Sequence, residues 1–326
     1  MKWNIFCVIE VAIKKIDMKK TSFTIFILLV GLLLGCTKNS DDPETPEVPK
    51  AVDKTANLQG TGESANDLLS NDTFTKLKIE IAYVDGFRPT QEAMGGFVAY
   101  LKERTFKETV EVVYSKLESP DEENLTLDKI AALESDNRTI YNDGDTLAIY
   151  IYFADSPADG DDEEEGLVTL GAVYRNTSMI IHEATVRKLA DQSIFISDAD
   201  VENATLNHEF GHLFGLVNLG TPSVNDHEDI LLDDEGVPVF EDGEPVGNNH
   251  CDVEGCLMRA ELQFGGSSNK GNSAYAKSEN GLKAGCQLSG RSVLTMLEKH
   301  AAKGPMAEPP GLDFECLLDL ASNGGR

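Results

Sequence analysis

His208-Glu209-Phe210-Gly211-His212-Leu213-Phe214-Gly215 sets two imidazoles four residues apart with a carboxylate between them. Residues i and i+4 share one helix face, so both rings can reach a single metal ion. Glu209 then stands beside the ion's open position, where a general base for an attacking water belongs. Gly215, three residues past the second histidine, lets the backbone turn sharply away beneath the metal. Downstream, His250-Cys251 and Cys256-Leu257-Met258 form a second cluster of residues suited to a metal site.

Zinc held by three protein ligands needs one more after His208 and His212. Two of the histidines that follow are candidates, His227 and His250. Either can supply the third ligand, and His227 is set among acids in Asn225-Asp226-His227-Glu228-Asp229 that could orient its ring. The intervening stretch has the makings of a local excursion. Val237-Pro238-Val239-Phe240 and Pro245-Val246 flank Glu241-Asp242-Gly243-Glu244, a good hairpin turn, so the two ends can return close together. His182 reads as structural or cleft-lining, and His300 as a surface residue.

The chain carries a formal charge of −28. Such a surface repels nucleic acid and anionic headgroups, which excludes a nucleic-acid-binding role. Acids crowd into Asp159-Gly160-Asp161-Asp162-Glu163-Glu164-Glu165. These carboxylates could take a structural Ca2+, but the spacing fits no EF-hand loop and a solvated acidic loop is the favoured reading.

Residues 1–35 read as a signal peptide, with Met18 as the expected true start: Met18-Lys19-Lys20 precedes the apolar run from Phe23 to Gly35. Leu33-Leu34-Gly35-Cys36 resembles a bacterial lipobox, which implies lipidation of Cys36 and a membrane attachment through lipid. Removing the leader, with its five lysines and two acids, takes the mature chain near −31. Residues 36–70, rich in Pro, Asp and Glu, read as the lipidated cysteine and a disordered tether. The expected location is the cell envelope, as a surface-exposed outer-membrane lipoprotein. In that oxidising setting Cys251, Cys256, Cys286 and Cys316 read as two disulfides by default, with a structural zinc on four thiolates as the alternative.

The folded part, 71–326, is expected to be α/β (α+β), divided into an upper part 71–216 and a lower part 217–326 with an insertion at 217–249. The patterning predicts strands at Lys76–Val84, Val110–Tyr114, Thr146–Phe153, Leu167–Tyr174 and Ser178–His182. Helices are predicted over Pro89–Arg104, with Phe97, Leu101 and Phe106 inward, over Leu127–Leu133, and from a cap at Ser197 or Asp198 to about Gly215. A last helix is expected over Ser292–Ala302.

The motif resembles that of the metzincin zinc metalloproteases, whose third ligand lies three residues after the glycine. Here that position is Asn218, a poor zinc ligand. His250-Cys251, four residues, then Cys256-Leu257-Met258 resembles the archaemetzincin pattern of a ligand histidine followed by paired cysteines and a methionine, which implies His250 as the third ligand with His227 the alternate. In this chain 34 residues separate Gly215 from His250, an insertion of the kind found in leishmanolysin-like proteins. The resemblance is specific only at 208–216 and 250–258, and the later CxxC of archaemetzincins is missing. It implies a twisted mixed five-stranded sheet, an active-site helix, a Met-turn at Met258, one catalytic Zn2+, and a small C-terminal subdomain. It further implies an endopeptidase that lays its protein or peptide substrate along an edge strand, here expected at Val168–Tyr174. A monomer is expected. The alternatives are a non-catalytic surface lipoprotein that binds through the same frame, and an aminopeptidase.

Overall fold

Along β1 (Lys76–Val84) Leu77, Ile79 and Ile81 face one way and Ala82 and Val84 the other, and all five are buried. Strands covered on both faces suit a parallel sheet. β1 pairs in parallel with β2 (Thr109–Leu117) on one side and β3 (Thr146–Phe153) on the other. Short β4 (Leu167–Thr169) leads into β5 (Gly171–Arg175), and β6 (Ser178–Ile181) runs parallel to β3. β5 pairs antiparallel with β6 and forms the sheet's edge, giving the order β2-β1-β3-β6-β5. This is a mixed five-stranded sheet in an α/β architecture.

The structure is a computed structural model and describes residues 52–161, 166–233, 236–259, 276–277, 283–284, 287–303 and 310–326. The leader, Cys36, Cys286 and most of the acidic loop lie outside these residues. None of the described helices is long and apolar enough to cross a membrane.

Two apolar layers sandwich the sheet. On one face Ile79, Ile81, Ile149 and Phe153 meet Phe97 and Leu101 of α2 (Gln91–Arg104) and Leu206, Phe210 and Leu213 of α5 (Asp198–Leu213). The rings of Phe97 and Phe210 stand edge to face, 5.1 Å between centroids, a favoured aromatic geometry. On the other face Tyr150, Tyr152 and Ile180 meet Leu127 and Ile130 of α3 (Leu127–Asn137). Thr90 and Thr126 cap α2 and α3 by accepting from the third residue on.

Several expectations need correction. Residues 52–70, expected to belong to a disordered tether, are folded onto the domain. Asn57 is buried and donates to the Ala148 carbonyl at 3.0 Å, while Leu68 and Leu69 of α1 (Ala65–Leu69) join the core. Polar composition hid this, because the segment is held by hydrogen bonds as much as by apolar area. Phe106 is 42% exposed, since the chain leaves α2 at Thr105 before that residue could turn inward. Besides α1, the short helices α4 (Glu183–Ala190) and α7 (Phe314–Ser322) went unpredicted. The helix expected at Ser292–Ala302 is α6 (Gly290–Ala301).

Beyond α5 the chain runs through β7 (Glu228–Ile230), the hairpin β8 (Phe240–Glu241) and β9 (Glu244–Pro245), and β10 (Gly247–Cys251). The hairpin turns at Asp242 and Gly243, both at positive φ (54° and 92°), as the backbone twist of a two-residue turn demands. β11 (Ala276–Lys277) pairs with β12 (Lys283–Ala284), and β13 (Gln287–Ser289) pairs with β4.

Candidate metal centre

α5 is anchored before it reaches the motif. Ser197 accepts from the Asp200 amide, and the Asp200 carboxylate accepts from the Ser197 amide at 2.8 Å, a reciprocal capping box worth about 1 kcal/mol. The helix then presents His208 and His212 on one face, their centroids 4.9 Å apart. It ends where Gly215, at φ +71°, takes the left-handed turn; a Cβ there would meet Thr221 Oγ1 at 2.4 Å.

β7 and β10 pair antiparallel, with Gly247 opposite Ile230 and Cys251 opposite Glu228, so the excursion closes on itself. Asn249 (φ +60°) turns the strand at its inner end, and its amide donates to Glu228 Oε1. The loop thereby delivers His250 against the helix, its ring centroid 5.3 Å from that of His208 and 4.9 Å from that of His212. One ring nitrogen from each of the three lies within 4.8 Å of the others, and all three side chains are buried.

Hydrogen bonds fix two of these rings. His208 Nδ1 donates to the Leu257 carbonyl at 2.7 Å and His250 Nδ1 to the Asn248 carbonyl at 2.8 Å, which leaves each Nε2 aimed into the cluster. His212, 1% exposed, has no hydrogen-bond partner on either nitrogen among the described residues. Burial holds His208 and His212 below the ordinary imidazole value and His250 down to about 3, with the neighbouring rings adding to the effect for His212 and His250. Three neutral nitrogens in a sealed pocket, two oriented by carbonyls, form a donor set that fits a zinc ion.

Glu209 is 1% exposed and lies under the edge strand: a Cβ on Gly171 would stand 2.8 Å from its Cγ. Met258 forms the floor. The Cys251 amide donates to the Met258 carbonyl at 2.9 Å, closing a turn over residues 251–258, and the side chain is fully buried against Gly211. The sequence reading passed over both glycines. Their signal was local: a glycine inside a helix at 211, and another opening a strand at 171.

Asn218, at the metzincin third-ligand position, serves the loop instead. At φ +59° it donates to Glu228 Oε2 at 2.6 Å and accepts from the Ser223 amide at 2.7 Å. His227 belongs to a different cluster and is not brought to His208 and His212. Its Nε2 lies 3.6 Å from Cys316 Sγ and 3.5 Å from Asp319 Oδ2, while its Nδ1 donates to the Asn225 carbonyl. Asp319 and Cys316 on α7 draw it there, a helix absent from the sequence reading. His182 is buried, its Nδ1 bonded to the Ser156 carbonyl and its pKa lowered to about 4 by burial.

The sulfurs of Cys251, Cys256 and Cys316 converge with the Asp313 carboxylate, one donor atom of each within 4.8 Å of the others. Cys256 and Cys316 sulfurs are 3.6 Å apart, and Cys251 donates to Asp313 Oδ2 at 2.9 Å. All three cysteines are buried free thiols, so none of the expected disulfides joins two of them. The sequence could not place Cys316 here, because 60 residues separate it from Cys256 and α7 carries it back.

No family model matches the chain, and no curated protein matches it. Among solved structures, that of archaemetzincin from Methanopyrus kandleri is similar at a TM-score of 0.40 and 16% identity, over 76% of this chain and 96% of that one.

Proposed function

We propose that the protein is a zinc-dependent peptidase. The observation that carries this reading is the convergence of His208, His212 and His250 beside Glu209, itself under an edge strand. Zinc bound there would supply Lewis acidity to a water and to the carbonyl of a scissile peptide. Glu209, one residue from His208, takes the proton of the attacking water and hands it to the departing amine, so one carboxylate serves both halves of the reaction. The surrounding apolar core excludes bulk water from this transfer. Met258 holds the underside of the helix as an adaptable apolar floor. Substrate is a protein or peptide laid as an added strand along the β5 edge. A pure binding module would need no buried carboxylate at position 209, which favours the catalytic reading over the non-catalytic one.

A second ion completes the proposal. The thiols of Cys251, Cys256 and Cys316 with Asp313, and His227 at the rim, suit a structural zinc that ties the turn over residues 251–258 to α7. Lysine-led apolar patterning before Cys36 supports export and lipid anchoring at the cell envelope. The test is hydrolysis of casein by the purified soluble part. Cleavage abolished by a chelator and restored by zinc supports the reading; cleavage that persists in the zinc-free protein refutes it.

A further inference from the structure

The strand that leads into the edge beside Glu209 is already partnered by the chain itself. β13 runs antiparallel to β4, with Gln287 opposite Thr169, Leu288 opposite Val168 and Ser289 opposite Leu167. The Gly290 amide donates to the Gly166 carbonyl at 3.2 Å, carrying the ladder one pair further in the same register. At its other end β12 lies against β5. Gly171, between these two contacts, is the residue whose Cα abuts Glu209. Thr169 lies two residues, about 7 Å of extended strand, from that point.

A peptide adding to this edge as an antiparallel strand would therefore meet the path that Gln287–Ser289 already follows, in the same direction. We infer that this segment is an autoinhibitory strand, held in the place of substrate and displaced before an extended peptide can bind. The inference rests on the reading of Glu209 and the three histidines as a peptidase centre. It adds that the peptidase is latent as folded. Backbone pairing supplies the recognition, so the competing substrate is any extended polypeptide that satisfies the same edge. If the open form is a minor state, of about 10% or less, freeing the edge raises apparent affinity for substrate about tenfold or more.

Two opposite variants test it in the full folded domain. Leu288→Pro removes the amide opposite Val168 and cannot remain in the ladder. Thr169→Cys/Gln287→Cys places two thiols on directly facing residues, where an oxidised bridge locks the strand down. With zinc content and thermal midpoint matched to the parent, Leu288→Pro is expected to hydrolyse casein about tenfold faster. The oxidised double variant is expected to be nearly inactive and to recover on mild reduction. Should Leu288→Pro fail to fold, the locked variant decides alone. Equal rates for the parent and the oxidised, locked protein would overturn the autoinhibitory strand and leave the peptidase reading standing. Hydrolysis by none of the forms, with zinc bound, would overturn both.

Discussion

Met258 lies against the bare Cα of Gly211, between the two helical histidines: a Cβ on that glycine would stand 2.1 Å from the methionine sulfur and 2.9 Å from its terminal carbon. Glycine costs a helix about 1 kcal/mol relative to alanine, so its presence in mid-helix marks a close approach that nothing larger permits. Gly211→Ala should push the floor down, destabilising the fold by about 1–3 kcal/mol, the usual range for overpacking. Thermal unfolding checks this. Pairing it with Met258→Ala should recover part of the loss, and strict additivity of the two changes would argue against the contact.

Glu209→Gln keeps the shape of the side chain and removes its basicity. The account predicts that zinc stays bound at parental stoichiometry while peptide hydrolysis falls by about two to four orders of magnitude. Metal analysis and initial rates on the same sample decide it. A fully active variant would remove Glu209 from the chemistry.

Cys316→Ser tests the second donor cluster. The parent, purified without chelator and with zinc present, is expected to carry two ions per chain, and the variant one. Hydrolysis should persist at low temperature, because the lost ion ties α7 to the turn over residues 251–258 and does not face substrate. Two ions in the variant would show that the thiols hold none.

Glu183 makes stability depend on pH. Burial, and then the Glu202 carboxylate beside it, push its pKa from the ordinary 4.5 up to about 9, against the opposing pull of Arg187. The folded state therefore holds a proton that the unfolded state gives up. That contribution is complete below pH 4.5 and declines as pH rises toward about 9. Glu183→Gln should be the more stable protein, relative to the parent, at pH 9 than at pH 5. Urea midpoints at the two values measure the difference, and an identical gap at both would refute the assignment.

The elements that position the helical pair were legible in the sequence because their signals are local. Alternation marks β1, a continuous apolar run marks β3, and Ser197 with Asp200 marks the start of α5. The excursion was legible too, through the Asp242-Gly243 turn. What stayed hidden depends on contacts across long stretches of chain. Nothing near Asn57 announces that its amide will bond Ala148, and nothing near Cys316 announces a place beside Cys256. The pairing of Gln287–Ser289 with β4 was invisible for the same reason, since strand partners more than a hundred residues apart leave no periodic trace.

The central claim is that the loop after α5 returns His250 to complete a three-imidazole centre with His208 and His212. Anomalous scattering at the zinc edge, from crystals of the zinc-supplied protein, tests it most directly. The account predicts a peak about 2.0–2.1 Å from one nitrogen of each of these three rings. A zinc peak bonded to His208 and His212 with His250 out of reach, or no peak there in zinc-saturated crystals, would contradict it.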